Sequence, residues 1–261
     1  MKLRIISALI LAVILVPIVY FGNTVFSIAV GFLGILALKE LVDLKVSHKK
    51  IPGFVFFIGM ACLLFLILSD HDSYSIMFGL TYRGLAITAL AMLIPTLFYK
   101  EYNTKEAFFM IGSIVFLGLA LNGMILIRKF SLEKFLFLLL IPILTDTFAY
   151  IVGSLIGKHK VSKISPKKSW EGCIGGSLIG TIGATLFYIN FVSNSNIIGV
   201  AVVSLVLTIV SQFGDFIFSK IKRENEIKDF SNIIPGHGGI LDRFDSLIAV
   251  MLMSLILFSY I

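Results

Sequence analysis

Polar residues in this chain gather into short breaks between long apolar runs. Nine runs stand out, at about 4–21, 24–42, 51–69, 76–98, 106–127, 132–157, 172–192, 196–218 and 244–261. A run of roughly 17–25 apolar residues crosses ~30 Å of hydrocarbon as a helix, which satisfies its own backbone hydrogen bonds there. The pattern predicts an all-α fold, a polytopic integral membrane bundle of about nine transmembrane helices. The fourth run is the weakest because Arg83 interrupts it, which leaves a shorter span from Gly84, with Arg83 near the interface, as the alternative to 76–98. The first run has Lys2 and Arg4 ahead of it, but no small-residue cleavage site, and Pro17 and Tyr20 sit near its end. An uncleaved helix is expected there, not a secretory signal.

Basic residues set the orientation. With the N-terminus in the cytoplasm, every lysine and arginine except Arg83, Arg128, Lys129 and Lys134 falls in an inside segment. The positive-inside bias therefore favours an odd number of spans and a cytoplasmic N-terminus. Composition agrees: 58% of residues are hydrophobic, and the 14% that are charged compare with about 25% in a soluble domain. The net charge of +7 is spread over cytoplasmic loops, where anionic lipid accounts for it without a nucleic acid partner. Cys62 and Cys173 lie in apolar surroundings on different runs and read as small buried hydrophobes.

The chemistry is lopsided. Residues 1–140 form N-terminal transmembrane helices with no specific motif. The turn Asp70-His71-Asp72 looks metal-like in isolation, but it is short and lies opposite the polar loops. Residues 141–261 form the region expected to be catalytic, with cytoplasmic loops 158–171 and 219–243. Asp146 falls in the middle of an apolar run, one turn after Pro142. A carboxylate there must be paired, protonated or metal-bound. Its alternatives are a functional role and an interhelical hydrogen bond.

The loop Ser165-Pro166-Lys167-Lys168-Ser169-Trp170-Glu171-Gly172 follows, with lysines suited to phosphate oxygens. Gly172, Gly176 and Gly180 are spaced four apart, and Gly153 and Gly157 repeat the spacing. Small residues in this pattern permit close helix packing. Asp215 closes another apolar run, one helical turn before Ser219, with Lys222 and Arg223 beyond. The last polar stretch carries Lys228-Asp229, then Pro235-Gly236-His237-Gly238-Gly239, then Asp242-Arg243-Phe244-Asp245.

These motifs resemble those of the phosphatidate cytidylyltransferases, or CDP-diacylglycerol synthases. The signature runs from Ser219 to Asp245, and Asp146, the 165–172 loop and Gly214-Asp215 extend it upstream. The resemblance implies a multi-pass cell-membrane enzyme of the bacterial type, with its active site facing the cytoplasm. It implies CTP and phosphatidic acid as substrates, CDP-diacylglycerol and pyrophosphate as products, and membrane lipid as surroundings. It also implies magnesium, as one or two ions, with room for an additional monovalent cation, and a homodimer.

The reaction implied needs no protein nucleophile, because a phosphatidate oxygen attacks the α-phosphorus of CTP. Its main barrier is the approach of two anions, which cations lower. Asp215 and Asp242 are the first expected metal ligands. Asp146 is a third ligand or the partner of a basic group, and Asp245 shares the helical face of Asp242. Lys168, Lys222 and Arg223 are expected to meet phosphate, with Ser165 and Lys167 in support. Arg243 either orients the carboxylates or binds phosphate. His237 either protonates the leaving pyrophosphate or caps a turn, and Gly236, Gly238 and Gly239 would bring backbone N–H groups to phosphate. Two other functions fit part of the pattern. One is a CTP-dependent kinase of a polyprenol or other lipid alcohol; the other is an anion transporter, which Asp146 also suits.

Overall fold

The computed structural model describes residues 13–44, 51–69, 74–162, 165–166, 168–193, 196–233 and 238–257. Helix α1 is described over 13–21. It is followed by α2 (Asn23–Val42), α3 (Gly53–Leu68), α4 (Tyr74–Leu93, prolonged by a 3-10 turn at Ile94–Leu97) and α5 (Thr104–Phe130). Then come α6 (Leu132–Ile156), α7 (Trp170–Phe191), α8 (Ile197–Glu224) and α9 (Leu241–Ile256). Among the described residues, each apolar run of the sequence lies largely on one of these helices. Helices α2, α5, α6, α7 and α8 are long and apolar enough to cross a bilayer, while α3 and the stretch Tyr82–Leu97 are apolar but shorter. The protein is an all-α, multi-pass membrane protein.

Of the two starts considered for the fourth span, the longer one is found. Helix α4 continues through Arg83 and does not begin at Gly84. Arg83 is exposed, so its long side chain can lead the charge away without interrupting the backbone ladder. Helix α6 likewise runs unbroken past Pro142, and the Thr145 hydroxyl donates to the Ile141 carbonyl at 2.7 Å just after it. The turn at residues 70–73 lies outside the described residues.

By packing, the chain divides into two compact units, Met1–Lys129 with Glu224–Asp242, and Phe130–Arg223 with Arg243–Ile261. The first unit is built around α5, whose Met110, Ile114, Leu117 and Ala120 are fully buried. Gly118 of α5 comes close to Leu66 of α3, and Asn122 donates from Nδ2 to the Ile67 carbonyl at 3.0 Å, tying the same two helices together. Arg128 donates from Nε to the Val19 carbonyl at 2.6 Å and from Nη2 to the Tyr20 carbonyl at 2.8 Å. It thereby satisfies carbonyls at the C-terminal end of α1.

In the second unit α6 and α7 make the most extensive contact. The glycine spacing explains it. A Cβ on Gly172 would lie 2.6 Å from the Ala149 carbonyl oxygen, and one on Gly176 would lie 2.6 Å from that of Thr145. Only a hydrogen fits at either place, so the two backbones approach closely. Phe137 and Tyr188 pack edge to face across the same interface, with centroids 5.1 Å apart. Gln212 of α8 completes the unit by donating from Nε2 to the Cys173 carbonyl at 2.9 Å and to Ser177 Oγ at 2.7 Å. Cys62 and Cys173 are free thiols.

This packing makes a direct prediction. Gly176→Leu should force α6 and α7 apart and cost about 1–3 kcal/mol or abolish folding, whereas Gly112→Ala, where a Cβ meets nothing within 4 Å, should leave stability unchanged or raised. Thermal unfolding of the two purified variants in detergent micelles checks the contrast.

Candidate active site

The loop between α6 and α7 is tied at both ends. Ser169 is the N-cap of α7, its Oγ accepting from the Gly172 N–H at 3.2 Å, which satisfies one of the orphan donors of the first turn. The Trp170 N–H donates to the His159 carbonyl at 2.9 Å, and the Val161 N–H to that of Lys168 at 3.1 Å. His159 Nδ1 meets Glu171 Oε1 at 2.6 Å. The Ser-Trp-Glu-Gly motif thus has a structural account: a cap, an exposed aromatic ring, a carboxylate that closes the loop, and a glycine pressed on α6. Ser165 accepts at its carbonyl from the Lys168 N–H at 3.1 Å, so it shapes the turn that presents Lys168. Lys167 lies outside the described residues.

Lys168 is the hub of the second unit. Its ammonium forms an ion pair with Asp215 of α8 and stands 4.9 Å from the centre of the Phe216 ring. Both partners of the pair are about one-fifth exposed, so solvent screens it only in part. Lys168 also lies within electrostatic reach of Asp146 on α6, which in turn feels Asp215. Asp245 of α9 interacts with Asp215, Lys222 and Asp146. Gly214 lets α9 approach, since a Cβ there would lie 2.9 Å from the Asp245 carbonyl oxygen. Three helices, α6, α8 and α9, and the loop before α7 therefore bring together Asp146, Lys168, Asp215, Lys222 and Asp245. Asp146 is exposed and not packed into the interior, so it faces the open side of this group.

These carboxylates are hard oxygen donors of the kind magnesium takes, and such an ion needs only one or two of them beside water and phosphate oxygens. The donor set fits magnesium in kind. Among the described residues, no three His, Cys, Asp or Glu side chains stand close enough to cage an ion by themselves. A phosphate ligand would complete the shell.

Beside this group, α7 and α8 line a cavity of about 540 Å³. Its walls include Trp170, Ile174, Leu178, Phe213, Ile217 and Lys220. The lining is almost wholly apolar, which suits a hydrocarbon chain.

The first unit holds the part of the signature from Lys228 to Asp242. Asp242, in the first turn of α9, accepts at one oxygen, Oδ2, from the Phe230 N–H and the Gly239 N–H, both at 2.9 Å. It reaches back to the donor three residues before it, as the acidic half of a capping box does. Gly238 has φ +86°, and a Cβ there would lie 2.9 Å from Asp242 Oδ2. The left-handed backbone explains this glycine. The Gly239 N–H, expected to meet phosphate, is committed to Asp242. A Cβ on Gly239 would lie 2.5 Å from Glu40 Oε1. Sequence reasoning passed over Glu40, whose signal, a carboxylate inside an apolar run, was the one that singled out Asp146. Arg223, Lys228, Asp229 and Arg243 are exposed. Pro235, Gly236 and His237 lie outside the described residues.

The fold and this centre define a membrane-embedded protein equipped for anionic substrates. The chain belongs to the Cytidylyltransferase family, which it matches over residues 2–261. It is 34% identical over 256 residues to a phosphatidate cytidylyltransferase of Staphylococcus aureus, with 96% of each chain covered. It is also 35% identical to that of Staphylococcus haemolyticus and 32% identical to that of Staphylococcus saprophyticus, again over 96% of each chain.

The hydrogen bonds of Asp242 separate its shape from its charge. Asp242→Asn keeps an oxygen for both backbone donors and should be the milder change, whereas Asp242→Ala should cost about 1–3 kcal/mol. Thermal unfolding of both variants measures the difference.

Proposed function

We propose that this chain transfers the cytidylyl group of CTP to phosphatidic acid, giving CDP-diacylglycerol and pyrophosphate for phospholipid synthesis. The near-full-length similarity to phosphatidate cytidylyltransferases carries the reading, and the lysine–carboxylate group of the second unit supports it.

In the reaction, an oxygen of the phosphatidate phosphate forms a bond to the α-phosphorus of CTP. The bond from that phosphorus to the bridging oxygen breaks, and pyrophosphate leaves with the electron pair. The protein supplies charge and alignment. Lys168 and Lys222 place positive charge where phosphate oxygens meet the carboxylates. Phe216 and Asp215 hold the Lys168 ammonium in one position, so little side-chain entropy is lost when phosphate arrives. The apolar cavity between α7 and α8 takes an acyl chain while the headgroup phosphate stays near the lysines.

Asp215 and Asp245, with Asp146 as a further oxygen donor, would hold magnesium. When bound, that ion supplies positive charge that offsets the mutual repulsion of the two substrates. Asp242 serves first to hold the 230–239 segment. We place the reaction on the cytoplasmic face of the cell membrane, which the distribution of basic residues supports, and infer a homodimer from the family resemblance.

Two labelled nucleotides test the reading on the purified protein in detergent–lipid micelles with phosphatidic acid. Label at the α-phosphate of CTP should enter lipid, label at the γ-phosphate should leave as pyrophosphate, and EDTA should stop both. Entry of the γ-label into a lipid alcohol would point to a kinase instead. Absence of any transfer from a folded sample would sink the proposal.

A further inference from the structure

Glu40 is a carboxylate buried to 2% exposure near the C-terminal end of α2, in the half of the chain that carries no motif. Among the described residues, its hydrogen-bond partners are Ser231, Ile240 and Leu241. Oε1 accepts from Ser231 Oγ at 2.5 Å and from the Ile240 N–H at 2.8 Å, and Oε2 accepts from the Leu241 N–H at 2.8 Å. The two amides belong to the start of α9, where backbone donors have no partner within the helix. The carboxylate thus sits on the positive end of the helix dipole, where negative charge is favoured. Gly239 is pressed against the same carboxylate, so a larger residue there would displace it.

The neighbouring donors complete the arrangement. The Gly239 N–H and the Phe230 N–H go to Asp242 Oδ2. Two carboxylates, one from α2 and one from α9 itself, therefore share the amides at the start of α9. Loss of Glu40 would leave the Ile240 and Leu241 amides buried without an acceptor and would free Ser231. Asp242 is the next residue along, and Asp245 follows it by one turn of the same helix.

We propose that Glu40 is a positioning residue for the reaction: by binding the amides of Ile240 and Leu241 and the hydroxyl of Ser231, it fixes where α9 begins and how Asp242 is presented. This rests on the cytidylyl-transfer reading above. Glu40 touches no substrate in this role and acts through the segment it holds. Charge and two acceptor oxygens are both required, so glutamine is not an equivalent, since its amide nitrogen cannot accept from a backbone N–H.

The test uses the full chain in detergent–lipid micelles, as wild type, Glu40→Gln, Ser231→Ala and Asn122→Leu. Turnover of CTP and phosphatidic acid is measured alongside hydrogen exchange in the 230–242 segment. Glu40→Gln should accelerate exchange at Ile240 and Leu241 and lower kcat by about ten- to a hundredfold, with KM for CTP little changed. Ser231→Ala, which removes a single partner, should act in the same direction by a few-fold. Asn122→Leu, a cut elsewhere in the same unit, should lower thermal stability without changing kcat or exchange in that segment. Glu40→Gln with wild-type kcat, or with unchanged exchange at Ile240 and Leu241, would overturn the proposal. So would an equal loss of kcat in Asn122→Leu, which would reduce the effect to stability alone. A wild type that turns over no phosphatidate would refute the substrate reading, and that result is distinct from a wild type that turns over beside an equally fast Glu40→Gln.

Discussion

Hydrocarbon offers an ionised carboxylate no hydrogen bond, so each acid in a membrane-spanning bundle has to be met by donors or cations from the protein. Glu40, Asp215 and Asp242 are met in three ways. Glu40 takes two backbone amides and a hydroxyl, Asp215 takes the Lys168 ammonium, and Asp242 takes two backbone amides with one oxygen. The consequences reach into the fold. Lys168 needs a loop tied down at both ends, and Ser169, His159 and Glu171 tie it. The amides given to Glu40 and Asp242 need a tight entry into α9, and Gly238 and Gly239 allow it.

Two kinds of polar centre result. One is a lysine–carboxylate group in the second unit, exposed on the side of Asp146 and flanked by an apolar cavity. It carries both signs of charge, so phosphate and a divalent cation can each find partners there. The other is a pair of carboxylates in the first unit, Glu40 and Asp242, that accept from backbone donors. These bonds hold the start of α9 and the residues before it. The family signature spans both, which explains why it contains residues of two kinds. Asp215 and Lys222 offer charge, while Gly238, Gly239 and Asp242 build the segment.

Much of the fold was legible in the sequence because lipid imposes one rule on every span: apolar side chains on a self-satisfied helix. The runs marked the helices, and the glycine spacing at 172, 176 and 180 marked the face that α7 presents to α6. Arg83 left two starts open for the fourth span because a charged side chain can lie outside a helix without ending it. The site was legible where residue types declare their chemistry, as at Asp146, Lys168, Asp215 and Asp245. It was not legible where the partner is backbone. Glu40 lies 200 residues from the Ile240 amide it binds, and no side-chain pattern announces an amide. Gly239 was read as an opening for phosphate, whereas its missing side chain makes room for Glu40.

We propose that Lys168 and Asp215, which form an ion pair, work as one unit in the transfer of the cytidylyl group. A kinetic cycle of Lys168→Met, Asp215→Asn and the double variant, with label at the α-phosphate of CTP and phosphatidic acid as acceptor, tests it most directly. Groups that act as a unit lose their function together. Each single variant should lower kcat by about a hundredfold or more, and the double variant should be little slower than either. Single variants that keep the wild-type rate, or losses that multiply in the double variant, would contradict the account.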